Sequence, residues 1–233
     1  MFDLKLPTHR RGFLGSVAAT AVAVGLSELV PHALTGQGYS TSTDAAQAGA
    51  KQDPALTAWL GKVKGKHRIV YDAPEPNHGF AFAWSRVFYM TNNETGVPDS
   101  DVSVAIILRH NAIPFAMTDA MWDKYKFGEN FSISNPATNA PSTRNFLYKA
   151  PAGALPLPGM GIDELLAGGV LMGVCNVAIK FYSGQLSKKM NVSADDVRND
   201  WLANILPGIQ VVPSGVWAVN RMQERGCAYC FAG

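Results

Sequence analysis

A lone cysteine at the end of a short apolar segment is the clearest sign of chemistry in this sequence. Residues 169–176 read GVLMGVCN, so Cys175 follows a strand-like run and precedes a helix-like segment that extends to Met190. At such a junction the backbone amides and the positive end of the helix dipole favour the thiolate, which is the nucleophilic form. The alternative is an inert, buried cysteine that packs as a small hydrophobe. Because of its position at this junction, Cys175 is the candidate catalytic residue.

Polar residues also follow two other strand-like segments. Residues 109–111 (RHN) come directly after VSVAIIL, and residues 214–215 (SG) follow IQVVP. The carboxyl ends of parallel strands lie at one edge of a sheet, so we expect these residues to lie near Cys175 and to bind a ligand there. The candidate binding residues are Arg109, His110, Asn111, Asn176, Ser214 and Gly215.

Each group has a functional and a purely structural interpretation. Arg109 or His110 supplies a positive or donor group to the thiolate, or Arg109 pairs with a surface carboxylate and His110 caps its helix. The amides around Ser214 bind an anionic sulfur species, or Ser214 is simply an N-cap residue. The residue types alone do not decide between these alternatives.

Two further cysteines, Cys227 and Cys230, form a C-x-x-C motif near the C-terminus. They lie in a segment that resembles a strand, where residues three apart point to opposite faces. A thioredoxin-type motif would begin a helix, and a haem-attachment motif would continue with His rather than Phe231. We therefore expect structural cysteines, with a disulfide or a bound metal as the alternatives.

The elements that must position these residues alternate between strand and helix. Strand-like runs cover residues 67–72, 101–108, 170–175 and 209–213, with a last one near Cys227, and amphipathic segments separate them. One such helix is expected at 54–64 and another at 113–126. This alternation predicts a three-layer α/β/α domain over residues 51–233, with a mostly parallel sheet of four to five strands.

A proline-rich insertion interrupts the pattern at residues 127–161. Long structureless segments are uncommon in compact domains, and they tend to be lids, subunit contacts or disordered insertions. The sequence Phe146-Leu147-Tyr148 predicts that this segment docks on the domain.

The sequence of residues 1–50 predicts a targeting signal rather than a part of the folded domain. The sequence THRRGFL at 8–14 precedes an uncharged, alanine-rich stretch from Gly12 to Ser27, which is typical of a twin-arginine (Tat) export signal. That stretch is shorter than the roughly 20 residues of a membrane span. The small-x-small sequence at 46–48 is a candidate cleavage site, in a flexible run from Thr35 to Ala50. We expect a periplasmic protein without a stable membrane anchor.

The charge pattern argues against a nucleic-acid partner, and the spacing of the histidines argues against a metal site. The chain has 233 residues and a formal net charge of +2, and no run of Lys and Arg is interleaved with aromatic residues. The five histidines show no ligand-type spacing. We therefore expect no cofactor and no metal. A metal or haem site that uses His78, His110, methionines or the C-x-x-C pair is a third, minor alternative.

The motifs around Cys175 resemble those of the DsrE/DsrF-like family of sulfur-relay proteins. The matching segments are GVLMGVCNVAIK, then LPGIQVVPSGVWAVNRMQERGCAY, and VAIILRHNAI as the second strand. The resemblance covers about residues 66–126 and 162–231. It implies a flavodoxin-like three-layer fold, assembly into homo-oligomers, and a persulfide carried on Cys175.

Two classes of function follow from these observations. In the first, an exported protein handles sulfur through Cys175 and exchanges it with a donor or acceptor protein or with a small anionic sulfur species. In the second, the chain is a non-catalytic periplasmic binding or assembly module without cysteine chemistry. The sequence does not establish that the chain is an enzyme.

Overall fold

The computed structural model describes residues 53–233, and the export signal predicted for residues 1–50 lies outside that range. The strands are β1 (His67–Ala73), β2 (Val102–Leu108), β3 (Leu171–Cys175), β4 (Ile209–Val212) and β5 (Ala228–Phe231). The helices are α1 (Pro54–Leu60), α2 (Phe80–Glu94), α3 (Asp119–Lys124), α4 (Phe127–Asn130), α5 (Ile162–Ala167), α6 (Asn176–Met190), α7 (Ala194–Ala203) and α8 (Gly215–Glu224). In this range no helix is both long and apolar enough to span a bilayer.

The strands form one fully parallel sheet in the order β4-β3-β2-β1-β5. β1 to β4 follow one another across the sheet, and the chain then returns to place β5 beside β1. β2 and β3 are almost wholly buried, as expected for central strands with helices on both faces. The prediction of a parallel α/β sheet is confirmed.

Two separate apolar clusters show that the sheet lies between two layers of helices. Along β2, Val104, Ile106 and Leu108 belong to one cluster, while Ala105 and Ile107 belong to the other. The larger cluster includes side chains from α2, α3, α5, α6 and α7, and the smaller one includes side chains from α1 and α8. This alternation with a period of two is what a strand buried on both faces requires, and it confirms the three-layer architecture.

The expected helix at 113–126 is wrong. The chain instead forms a 3₁₀ turn at His110–Ala116 and then the short helix α3. Pro114 lacks an amide proton, and Met117 between the two elements is extended and pairs with Ile205 in an isolated antiparallel bridge. The helix expected at 54–64 also ends earlier, at Leu60.

The proline-rich insertion packs on the domain along much of its length. Leu147 is buried. The side-chain Nδ2 atom of the buried Asn145 donates to the carbonyl oxygens of Phe115 (3.0 Å) and Met117 (3.1 Å). The Ile162 amide then donates to the Leu147 carbonyl at 2.8 Å. The prediction that this segment docks is confirmed.

The two C-terminal cysteines lie on opposite faces of the sheet, as predicted. Cys227 belongs to the cluster beneath α1 and α8, and Cys230 packs against the larger cluster. Both are free thiols, and burial raises the pKa of Cys227.

Candidate functional site

A cavity of about 300 Å³ opens at the carboxyl edge of the sheet, above β2, β3 and β4. β3 lies between the other two strands, so its last residue, Cys175, lies between the segments that follow β2 and β4. The lining residues are Arg109, His110, Cys175, Val177, Ala178, Phe181, Tyr182, Ser214, Gly215 and Val216. Four of the six predicted binding residues therefore share one cavity with the predicted nucleophile.

Cys175 is both the last residue of β3 and the N-cap of α6. The backbone amide of Ala178, in the first turn of α6, donates to the Cys175 Sγ atom at 3.3 Å. Only 6% of Cys175 is exposed, but it lines the cavity. The thiol thus lies at the strand-to-helix junction that the sequence predicted, with a backbone donor directed at the sulfur.

Arg109 forms a paired ionic contact with a residue that the sequence analysis did not identify. Its Nε atom donates to Oδ1 of Asp72 at 2.6 Å, and its Nη2 atom donates to Oδ2 at 2.9 Å. The Tyr229 hydroxyl, on β5, also donates to Oδ2 of Asp72 at 3.0 Å. The side chains of Arg109 and Asp72 are only 19% and 6% exposed, respectively, so the ion pair is largely shielded from solvent.

The surroundings of Arg109 keep its guanidinium charged. The hydrogen bond with Asp72 raises the pKa of Arg109, burial opposes this shift, and the charges of Asp72, Tyr229 and Cys175 reinforce it. The Nη1 atom lies outside the two hydrogen bonds with Asp72. A guanidinium has five N–H donors, so Arg109 retains donors for an anion in the cavity.

Ser214 and Gly215 form the start of α8. The Ser214 Oγ atom accepts from the Trp217 amide at 3.2 Å, so Ser214 is an N-cap residue. A Cβ atom at Gly215 would lie 2.7 Å from the Arg109 Cβ atom and 2.8 Å from its Cδ atom. Glycine at 215 therefore leaves room for the aliphatic part of the Arg109 side chain, which passes the N-terminus of α8 and reaches Asp72.

His110 also lines the cavity. It is exposed, has a left-handed φ of 45°, and begins the 3₁₀ turn that follows β2. A left-handed conformation is uncommon for a residue other than glycine, and it turns the chain sharply away from the strand.

The structure places Asn111 and Asn176 outside the cavity. The Asn111 side chain accepts from the Tyr182 hydroxyl at 2.8 Å and donates to the Glu75 carboxylate at 2.8 Å. The Asn176 Oδ1 atom accepts from Arg198 on α7 at 3.1 Å. Both asparagines thus connect elements around the site rather than face its interior.

The rim of the cavity is apolar and exposed, which the sequence analysis did not foresee. Val177 and Phe181 on α6 are 60% and 58% exposed, and Val216 on α8 is 67% exposed. Phe181 packs edge-on against Tyr182, with ring centroids 5.1 Å apart. Exposed apolar side chains around one opening are typical of surfaces that bind a ligand or a partner.

Within residues 53–233, no group of three or more His, Cys, Asp or Glu side chains is placed to hold a metal ion. The site consists instead of one thiol, one paired guanidinium, one exposed imidazole and two helix starts. These groups define an α/β protein with a cysteine at the carboxyl edge of a parallel sheet.

Comparisons with known proteins show structural similarity only. No protein-family model matches the chain, and no curated protein matches it. One similar solved structure is that of MTH1491, a protein of unknown function from Methanobacterium thermoautotrophicum. It is 14% identical in sequence, with a TM-score of 0.38, and the match covers 71% of this chain and 99% of the other.

Proposed function

We propose that this chain is a DsrE/DsrF-like sulfur-handling protein that accepts sulfur on Cys175 and passes it on. The observation that carries the proposal is the position of Cys175, which lines an open cavity and whose Sγ atom accepts a hydrogen bond from the Ala178 amide. A donor at the start of a helix stabilises negative charge on sulfur, and the thiolate is the reactive form.

The reaction is an exchange that needs no external oxidant. The Cys175 thiolate attacks the terminal sulfur of a donor persulfide, R–S–SH. A new S–S bond forms at Cys175, the S–S bond of the donor breaks, and the donor leaves as the thiolate RS⁻. An acceptor thiolate then attacks the outer sulfur of the Cys175 persulfide. A new S–S bond forms on the acceptor, the S–S bond at Cys175 breaks, and Cys175 leaves as the thiolate.

Arg109 is the residue best placed to bind the donor. A small persulfide donor is anionic at its carboxylate or at its sulfur, and Arg109 carries a permanent charge with donors outside the Asp72 pair. The amides at the start of α8 line the same cavity, next to the Arg109 side chain, and offer further donors. The geometry therefore provides a nucleophile and adjacent anion-binding groups in one cavity.

Mass spectrometry of the full chain treated with glutathione persulfide tests this proposal. We expect the mass of one added sulfur atom on the Cys175 peptide, and none at that position in Cys175→Ser. The matched control is Cys230→Ser. Cys230 is more exposed than Cys175, so it would react first if exposure alone decided. Sulfur found on Cys230 and absent from Cys175 would overturn the proposal.

The exposed rim favours a second candidate, a binding or assembly function without cysteine chemistry. Val177, Phe181 and Val216 suit a contact with a second copy of the chain, as the homo-oligomers of the resembled family imply. In that case Phe181→Ser lowers the molar mass measured by sedimentation, while Met190→Ser, at the far end of α6, leaves it unchanged. Under this candidate Cys175→Ser alters neither the mass nor binding.

We also propose that residues 1–50 direct export. Replacement of Arg10 and Arg11 by lysine should then retain the precursor in the cytoplasm, as judged by fractionation and immunoblotting. Equal amounts of processed protein in the periplasm of both strains would contradict this.

A further inference from the structure

A second cavity, of about 380 Å³, lies against the proline-rich segment and is separate from the cysteine cavity. Its walls come from residues 135–160, from His78 and from the start of α2, and it shares no lining residue with the cysteine cavity. Its size falls in the range of small-molecule sites. The proposed sulfur transfer at Cys175 does not use this cavity.

Most of the lining is apolar. Phe80 and Ala83 contribute from α2, and Leu147, Leu155 and Met160 contribute from the proline-rich segment. Three prolines of that segment also line the space, and their rings offer no amide donors. A cavity with this lining favours an occupant with a largely apolar surface, because burial of apolar surface is the main gain available.

The positive charge in this lining is Arg144. The side chain is 42% exposed, so it combines contact with the cavity and contact with solvent. Its Nε atom is buried and has no hydrogen-bond partner in the described part of the chain. The guanidinium forms an ion pair with Asp119, whose Oδ2 atom lies 3.6 Å from Nε, and the Oδ1 atom of Asp119 accepts from the backbone amide of Asn145 at 2.8 Å. The ion pair thus leaves the Nε atom without a hydrogen bond at the boundary of an apolar space.

The walls are held in place by the fold. The Ser142 hydroxyl donates to the Arg144 carbonyl at 2.7 Å, and the Asn135 amide donates to the Ala140 carbonyl at 2.8 Å. Leu147 and Met160 are anchored in the main core. A ligand would therefore enter a cavity that already exists, and it would not have to order the segment first.

We propose that this cavity binds a small apolar molecule that carries one anionic group, with the apolar part among the prolines and leucines and the anion on Arg144. Charge complementarity fixes the sign of the head group, and the apolar lining fixes the nature of the remainder. The proposal does not depend on sulfur transfer at Cys175.

Calorimetric titration of the full chain with decanoate, below its micelle concentration, tests the proposal. We expect saturable binding of one molecule with a negative heat-capacity change, since apolar surface is buried. Arg144→Gln should weaken decanoate binding about tenfold or more, because a charge-assisted hydrogen bond is lost. The same variant should change the affinity for 1-decanol less than about threefold, since that probe lacks the charge.

Three control variants distinguish binding in this cavity from binding elsewhere on the chain. Ala154→Trp fills the cavity from an exposed position and should abolish binding while the fold, followed by circular dichroism, is retained. Lys149→Gln removes a cation of the same segment that does not line the cavity, and it should bind decanoate normally. Cys175→Ser should also bind normally. Absence of saturable binding, or equal affinity in Arg144→Gln and wild type, would overturn the proposal.

Discussion

The carboxylate of Asp72 and the guanidinium of Arg109 form a two-point ion pair that connects the carboxyl ends of β1 and β2. Tyr229 adds a third hydrogen bond to the same carboxylate from β5. A charge that is shielded from solvent must be paired and hydrogen-bonded, and this arrangement meets both requirements for Asp72. The pair also fixes the direction of the Arg109 side chain at the mouth of the cysteine cavity.

We predict that Asp72→Asn lowers the free energy of unfolding by about 3 kcal/mol, because removing one member of a shielded pair leaves the other charge uncompensated. Urea unfolding followed by circular dichroism measures this change. The control is Asp123→Asn, which breaks a surface pair with Lys126 and should cost less than about 1 kcal/mol. Equal losses in the two variants would show that the Asp72 pair adds no more than a surface contact.

Gly215→Ala should destabilise the protein by about 1–3 kcal/mol, because the new methyl group would lie against the stem of Arg109. Gly184→Ala provides the matched control, since a Cβ atom at this helical position meets no heavy atom within 4 Å. That control should stabilise the protein by about 0.5–1 kcal/mol. Thermal unfolding distinguishes the opposite signs, and a stabilising Gly215→Ala would contradict the close approach of Arg109.

Two serine caps allow stability and chemistry to be separated. Ser214→Ala and Ser193→Ala each remove a side-chain acceptor at a helix start, and each should cost about 1 kcal/mol. Only Ser214 lines the cysteine cavity, so only its replacement should change the rate at which iodoacetamide alkylates Cys175. Rates are measured by peptide mapping. A similar change of rate in both variants would assign the effect to lost stability.

Asp200 should make the protein less stable in acid. Burial acts to raise the pKa of Asp200, but hydrogen bonds from Lys124 (2.7 Å) and Tyr125 (2.6 Å) outweigh it, so the pKa lies below its ordinary value. The stabilisation is therefore present above the unfolded-state pKa, about 4, and is lost as the pH falls through the folded-state value.

The corresponding measurement compares Asp200→Asn with wild type as a function of pH. We expect the variant to be less stable by about 1 kcal/mol near neutral pH, with the difference shrinking towards zero below about pH 3. Urea unfolding at several pH values gives both curves. A difference that is constant across this range would contradict the lowered pKa of Asp200.

The architecture was predictable because its central elements carry strong local signals. β2 is apolar except at Ser103, and Ser193 and Ser214 precede their helices as caps. The failure at 113–126 has an equally local cause, because Pro114 interrupts the hydrogen bonding of a segment whose apolar spacing is helical.

The site was only partly predictable. Parallel strand ends bring Arg109, Ser214 and Cys175 to one edge, and that much follows from topology. Whether a side chain then faces the cavity depends on single backbone angles. The left-handed φ of His110 redirects the chain, and Asn111 bonds elsewhere. Asp72 was missed because its partner lies 37 positions away in sequence.

The return of the chain from β4 to the far side of β1 affects the order of folding. Asp72 and Tyr229 are separated by 157 positions, so the edge of the sheet and the third hydrogen bond to Asp72 cannot form until residues 228–231 have left the ribosome. Contacts over such a separation form late, since a long loop must close first. Nascent chains that stall before β5 would therefore expose the flank of β1 and be open to intermolecular strand pairing.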